Sequence, residues 1–234
     1  RSTGTALLEM LGASAPATVV DIGSGTGYFA AALSERYPTA SVIALDIAEA
    51  MVHEARAMHG GKLRGLCADA EQLPLADASV DVIFSNLALQ WCEDLPGAMC
   101  EIARVLVRGG CAAICTLGAD TLWELRAAWR TVDQSVHVNR FATTRAIADA
   151  AAGAGLEVVV LHQCNQLLHY SAVRALAREL RQLGAHNLNR GRRGGLSGRA
   201  IWERLEHAYQ PFADAAGIPA TYQAVWMELK KAHD

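Results

Sequence analysis

The chain has 234 residues, 52% apolar and 19% charged, with a net charge of −3; that is enough for the core of one large domain, or of one domain with an addition. No apolar run reaches the roughly 18 residues that span a bilayer, and the acidic balance excludes a general nucleic-acid binder, so any basic partner surface must be local. The six cysteines, at 67, 92, 100, 111, 115 and 164, form no CxxC pair and read as buried, reduced thiols, which fits a cytoplasmic protein.

The chain opens with RSTGTALLEML, where Leu7, Leu8 and Leu11 keep helical spacing. It reads as starting inside a helix, without a signal peptide, so an N-terminal segment is expected to be missing. Over the first 117 residues apolar strands alternate with amphipathic helices. Strands are predicted at Ala17–Ile22, Ser41–Asp46, Lys62–Cys67, Val80–Ser85 and Cys111–Leu117, and helices at Tyr28–Tyr37, Ala48–Met58 and Pro96–Val107. Gly109 and Gly110 are expected to end the last of these helices. Alternation of this kind implies an α/β fold, a parallel sheet wound by helices on both faces. Beyond residue 118, helices are predicted at about 120–131 and 144–153, a strand at Leu156–His162, helices at about 171–184 and 198–216, and a last strand at Thr221–Leu229. Residues 1–164 and 218–234 are read as the core, with 165–217 a helical insertion over the carboxyl edge of the sheet.

VVDIGSGTGYF is the strongest single signal. A strand runs into Asp21, then Gly23, Gly25 and Gly27, then a helix; the spacing is GxGxG rather than the dinucleotide GxGxxG. Glycines allow backbone to approach a ligand closely, and the helix N-terminus favours negative charge. An acid at the start of the loop does not suit a pyrophosphate, but suits a cationic amino group. Asp46 ends the second strand, where a carboxylate can accept two ribose hydroxyls. Met51 on the next helix can cover an adenine, and Asp69 in CADAEQLPL can accept from its amino group. Amino acid, ribose and adenine together describe S-adenosylmethionine (SAM). In combination, DIGSGTG, LD, AD and LPL…DVIFSN resemble the seven-stranded Rossmann-like SAM methyltransferases over roughly residues 17–117. The resemblance implies a final strand antiparallel to the rest, and a cofactor set completed by Ile47, Ala70, Asn86 and Leu87.

In such a fold the fourth strand ends beside the reactive methyl. Here it reads SNLALQW, with an amide, a hydroxyl and an indole but no evident nucleophile, acid or base. It lacks the Asn-Pro-Pro-Tyr run of amide methylation and the Pro-Cys of cytosine chemistry, and Cys92 reads as packing. Asp94 and Asp120 make a poor metal site, so no metal is expected. A carboxylate substrate needs no base, because it is already ionised at neutral pH; catalysis then reduces to positioning and exclusion of water.

SNLALQWC, the RF pair in AWRTVDQSVHVNRF, LRQLGAHNLNRGRRGGLSGR and the closing ATY strand resemble the malonyl-[acyl-carrier protein] methyltransferases of early biotin synthesis, over nearly the whole chain. The resemblance implies a longer N-terminal segment, carrying an aromatic residue over the cofactor, which is expected to be the part missing ahead of Arg1. The resemblance implies esterification of the free carboxylate of a malonyl thioester with SAM as donor. Arg140 and Arg181 are the candidate carboxylate anchors, since arginine offers a planar fork that matches a carboxylate. His137 bonds the thioester, lines the pocket or is structural, and Trp91 forms a wall beside the methyl or packs in the core. His186 and Asn187 are placed to contact the phosphopantetheine arm. Arg190, Arg192, Arg193 and Arg199 gather positive charge suited to docking the strongly acidic acyl carrier protein. The rival readings are a methyltransferase of a free small carboxylic acid of the aconitate type, an RNA or protein methyltransferase, and a SAM-binding regulator without turnover.

Overall fold

A computed structural model describes residues 2–12, 15–60, 63–182 and 199–232. Its elements, in chain order, are α1 (Ser2–Met10), β1 (Thr18–Ile22), α2 (Tyr28–Arg36), β2 (Ser41–Asp46), α3 (Glu49–Met58), β3 (Arg64–Cys67), β4 (Val80–Asn86), α4 (Leu95–Val105), β5 (Leu106–Leu117), α5 (Trp123–Val132), α6 (Thr144–Gly153), β6 (Leu156–Tyr170), α7 (Val173–Gln182), α8 (Arg199–Tyr209) and β7 (Ile218–Lys231). One seven-stranded sheet has the order β3-β2-β1-β4-β5-β7-β6, with β1 to β5 paired in parallel. Lys231 Nζ donates to Leu106 O at the start of β5 (2.7 Å), and Gly118 N donates to Gln223 O just beyond its end (2.8 Å). β7 therefore runs antiparallel to β5, and the expected Rossmann-like architecture is present.

The chain divides into two compact units. The first comprises Arg1–Thr116, Thr143–Gln163 and Val225–Asp234, the second Leu117–Ala142 and Cys164–Ala224. In the first unit the central strands β1 and β4 are buried along almost their whole length, as the Val- and Ile-rich runs of a doubly covered parallel sheet require. Phe84, Ile83, Leu33, Met99 and Ile102 are fully buried there, each side chain stabilising the fold by about 1.5–3 kcal/mol. α4 starts where Asp94 Oδ1 accepts from Gly97 N (3.0 Å) and α6 where Thr143 Oγ1 accepts from Ala146 N (3.1 Å), each satisfying an otherwise orphaned helical donor. The core of the second unit gathers Leu122, Leu125, Trp129, Val132, Leu176 and Tyr209.

Four expectations are corrected. The helix before β5 ends at Val105, with Leu106 already extended, so Gly109 and Gly110 do not end it but lie inside β5. Val80 pairs with Leu106 and Val82 with Cys111, which makes the glycine pair a bulge. Gly109 has φ +76°, and a Cβ on Gly110 would stand 2.9 Å from Val107 O, so both positions exclude larger residues. β6 extends to Tyr170 rather than His162, because its second half is an exposed, mixed run that lacks the buried face a sequence pattern registers. The helix expected at 198–216 closes at Tyr209, where Pro211 leads into a short 3₁₀ turn. Of the six thiols, all free, only Cys115 is buried; Cys92 and Cys111 are half-buried, and Cys67, Cys100 and Cys164 are exposed. Among the described residues no helix is long and apolar enough to cross a membrane.

Candidate active site

In the first unit the glycine loop follows β1 and is closed by backbone bonds: Gly23 N and Ser24 N both donate to Leu45 O (2.8 and 2.9 Å). Gly23, Gly25 and Gly27 all have left-handed φ. A Cβ on Gly23 would sit 2.1 Å from the Ala88 Cβ, whereas one on Gly25 would meet nothing within 4 Å. Gly25 thus faces open space, and Gly23 is needed for close approach to the end of β4. Gly23→Ala is expected to destabilise the protein by about 2 kcal/mol or more, from φ strain plus the clash. Urea unfolding with an unchanged midpoint would show that Ala88 simply yields.

Asp46 Oδ2 accepts from Gly25 N and Oδ1 from Ala48 N, each at 2.9 Å. The carboxylate is locked, yet each oxygen keeps a lone pair for a further donor. Asp21 is 2% exposed, and its Oδ2 has no hydrogen-bond partner. Burial, opposed in part by a backbone hydrogen bond and reinforced by the Asp46 charge, pushes its carboxyl up to about 7. Ser24 Oγ and Asn86 Oδ1 are likewise buried and unpartnered. β1 and β4 pair with Asp21 opposite Phe84, so Asp21 and Asn86 share one end of two adjacent strands.

Ser85 Oγ donates to Ile22 O (3.0 Å), tying these two strand ends together. Leu87 is left-handed (φ +57°); its N donates to Cys115 O (2.7 Å) and its O accepts from Gln90 Nε2 (2.6 Å). Gln90 Oε1 in turn accepts from Thr116 Oγ1 (3.2 Å). Gln90, which the sequence reading left without a role, therefore fixes the turn that ends β4. Trp91 follows in a 3₁₀ turn, half-buried. Burial first, then the Glu71, Asp69 and Asp94 charges, push the Cys92 thiol up to about 12, which suits packing and not nucleophilic attack.

Asp69 is exposed and Ala70 half-buried, in a turn held by Asp69 Oδ1 accepting from Glu71 N (2.9 Å). Arg104 anchors the following loop through Leu73 O (2.9 Å) and Leu75 O (2.8 Å). Ile47 is 69% exposed and Met51 half-buried at the start of α3.

The second unit holds a cavity of about 460 Å³ lined by α5 and the segment after it, including Arg126, Trp129, Arg130, Asp133, His137 and Arg140. The Arg126 guanidinium donates to Ala119 O and Thr121 O. His137 lies flat on Trp129, ring centres 3.6 Å apart at 11°, and its Nε2 contacts Asp133 Oδ1 at 2.7 Å. That ring is held on a face and on one nitrogen. Arg140 is exposed on the cavity wall. Arg181 instead lines a second cavity with Arg174, Arg178 and Trp202; the structure does not bring the two expected anchors together. Arg126 and Arg130 were missed, although their i,i+4 spacing in RAAWR was a usable signal. His186, Asn187, Arg190, Arg192 and Arg193 lie outside the described residues, while Arg199 pairs with Glu203 (2.8 Å) on α8. Among the described residues no group of three or more His, Cys, Asp or Glu side chains could hold a metal ion.

Residues 20–114 match the family model described as a methyltransferase domain. The fold is shared with geranyl diphosphate C-methyltransferase from Streptomyces coelicolor, solved with S-adenosyl-L-homocysteine, at 15% identity and TM-score 0.63, covering 99% of this chain and 80% of that one. Closer in sequence is the malonyl-[acyl-carrier protein] O-methyltransferase of Gallionella capsiferriformans, 43% identical over 219 residues, 90% of this chain and 76% of the relative. The chain belongs to the malonyl-[acyl-carrier protein] O-methyltransferase family. It is also 44% identical to the biotin biosynthesis bifunctional protein BioHC of Cellvibrio japonicus, over 99% of this chain and 46% of that protein. The chain thus spans less than half of the bifunctional relative and about three quarters of the single-function family member.

Proposed function

We propose that this protein is a SAM-dependent carboxyl O-methyltransferase that esterifies the free carboxylate of a malonyl thioester on acyl carrier protein, a step of biotin synthesis in the cytoplasm. The observation that carries the reading is the 43% identity to a malonyl-[acyl-carrier protein] O-methyltransferase over 90% of the chain. SAM, when bound, would supply an electrophilic methyl group to one carboxylate oxygen, its sulfonium S–CH3 bond breaking to release neutral S-adenosylhomocysteine with no proton transferred.

The loop residues fit that cofactor. Three buried oxygens, on Asp21, Ser24 and Asn86, lack partners, and a buried unpaired polar group costs about 1–3 kcal/mol until one arrives. Asp21 holds the amino group of the methionine moiety. Gly23, Gly25 and Gly27 give it room, and Leu87 with Asn86 lines the path to the methyl. Asp46 accepts the ribose hydroxyls on its spare lone pairs. Ile47, Met51, Asp69 and Ala70 border the adenine. Trp91 keeps water from the reacting atoms.

Arg140 holds one carboxylate oxygen of the malonyl group and leaves the other free to react, since a bidentate clamp would blunt the nucleophile. His137, braced by Trp129 and Asp133, shapes the acyl cavity rather than moving a proton. Because opposite charges neutralise in this reaction, a site that excludes water favours it over bulk solvent.

Intact mass spectrometry of malonyl-carrier protein incubated with enzyme and SAM tests the reading, with acetyl-carrier protein and free trans-aconitate as controls. A gain of one methylene on the malonyl carrier alone is expected. Methylation of the free acid instead would transfer the reading to the small-acid enzymes.

A further inference from the structure

α7 buries Val173 and Leu176 fully and packs Leu180 against the same core. That apolar stripe leaves Arg174, Arg178 and Arg181 together on another face at i, i+4 and i+7. The three arginines line a cavity of about 420 Å³ with Trp202 of α8. The Arg174 guanidinium lies 5.8 Å from the centre of the Trp202 ring and pairs with Glu206 Oε1 (3.0 Å). The other acids nearby are engaged: Glu203 by Arg199 (2.8 Å), and Glu179 by the Tyr170 hydroxyl (3.2 Å). Arg178 makes no ion pair among the described residues, and Arg181 Nε donates within its own helix, to Ala177 O (3.3 Å). Arg178 and Arg181, neither in an ion pair among the described residues, therefore stand with the Glu206-paired Arg174 beside an indole, on a protein whose net charge is −3.

We propose that the α7–α8 face formed by Arg174, Arg178, Arg181 and Trp202 docks an acidic helix of the carrier protein, away from the arginines of the 460 Å³ cavity. This rests on the carrier-bound substrate proposed above. Arginines spaced along one helix face complement carboxylates spaced along another, and such complementarity acts on encounter and register. A flat indole below Arg174 adds apolar area at the centre of the patch. Neither feature serves the chemistry of a carboxylate and a methyl group, so the face acts on binding of the carrier and not on turnover.

The test is Arg178→Glu on the full chain, assayed with three substrates: malonyl-carrier protein, malonyl-CoA and malonyl-N-acetylcysteamine. The KM for the carrier is expected to rise about tenfold or more with kcat kept, and both small thioesters to stay within about twofold. Arg178→Ala, which introduces no repulsion, is expected to raise the same KM by about threefold. An equal rise with malonyl-CoA overturns the docking role, because it makes the face a phosphate site. An unchanged KM for the carrier overturns it outright. Fluorescence anisotropy of labelled carrier protein separates this inference from the proposed reaction. If no thioester is methylated, the proposed function fails, yet carrier binding weakened by Arg178→Glu still upholds the docking face, and equal binding by both proteins removes it.

Discussion

Asp21→Asn is expected to weaken SAM binding on the order of 100-fold, the loss of one buried, charge-assisted hydrogen bond. The same change is expected to raise stability at neutral pH. Both follow from one fact: the carboxyl is 2% exposed with an unpartnered oxygen. Burial above all, with the Asp46 charge adding to it, pushes its pKa up to about 7 from an ordinary 3.8. A raised carboxyl pKa means that the folded protein binds this proton more tightly than the unfolded chain does. The associated stability is complete below about pH 4 and lost as pH rises through 7, a few kcal/mol in all. Asn carries no such dependence, so the variant should melt higher than wild type at pH 8 and show a flatter profile.

Ligand binding has the opposite sign. A cationic amino group needs the ionised carboxylate, so SAM affinity of the wild type should weaken from pH 8 to pH 6, by about tenfold. Isothermal titration of both proteins across that range checks all of this. Equal affinity in Asp21→Asn would mean that the amino group is held elsewhere.

Arg140→Ala is expected to lower kcat/KM for malonyl-carrier protein by about 10²–10³-fold, with most of the loss in kcat. Removing the anchor frees the carboxylate to rotate away from the line of attack, and orientation of this kind is worth several kcal/mol. Arg140→Lys should recover part of the loss, since an ammonium holds one oxygen without the planar fork. Arg181 provides the contrast. It lines the other cavity, so Arg181→Ala should act on KM for the carrier and leave kcat nearly intact. Steady-state kinetics of the three variants decide between the anchors. A loss under about fivefold in Arg140→Ala, or a larger kcat loss in Arg181→Ala, would exchange their roles.

The strands that became β2 and β4 were legible because buried parallel strands are short Val- and Ile-rich runs ending in turn residues. The glycine loop was legible for a different reason: left-handed φ at three alternate positions leaves a compositional mark. Gly109 and Gly110 left the same mark and misled, since a helix stop and a β-bulge both ask for glycine. β6 was read short because Gln163, Asn165 and Gln166 interrupt any apolar pattern on an exposed strand. At the site, the loop acids could be placed from sequence because each lies within two residues of the end of its own strand, Asp21 one before the end of β1, Asp46 at the end of β2 and Asp69 just past β3. The distribution of the arginines could not. Which cavity Arg140 or Arg181 enters depends on how α5, α7 and α8 pack, and the stack of His137 on Trp129 depends on the path of the segment between them.

β7 has a consequence for how the chain is made. In the first unit Trp226 Nε1 donates to Thr3 O (3.1 Å), and Lys231 donates to Leu106 O at the start of β5. In the second, Thr221 donates through its N to Glu124 Oε2 (3.1 Å) and through its hydroxyl to Oε1 of the same buried carboxylate, and Gln223 NH donates to Thr121 Oγ1 (3.1 Å). Both units thus depend on contacts made about 100 residues or more after their earlier partners. Until residues 218–231 have left the ribosome, Glu124 is a carboxylate without its donors and the β5 edge lacks its neighbour. In vectorial synthesis the last strand to emerge is thus the one that supplies partners to each unit, and an unpaired strand edge is the feature that invites wrong pairing before it arrives.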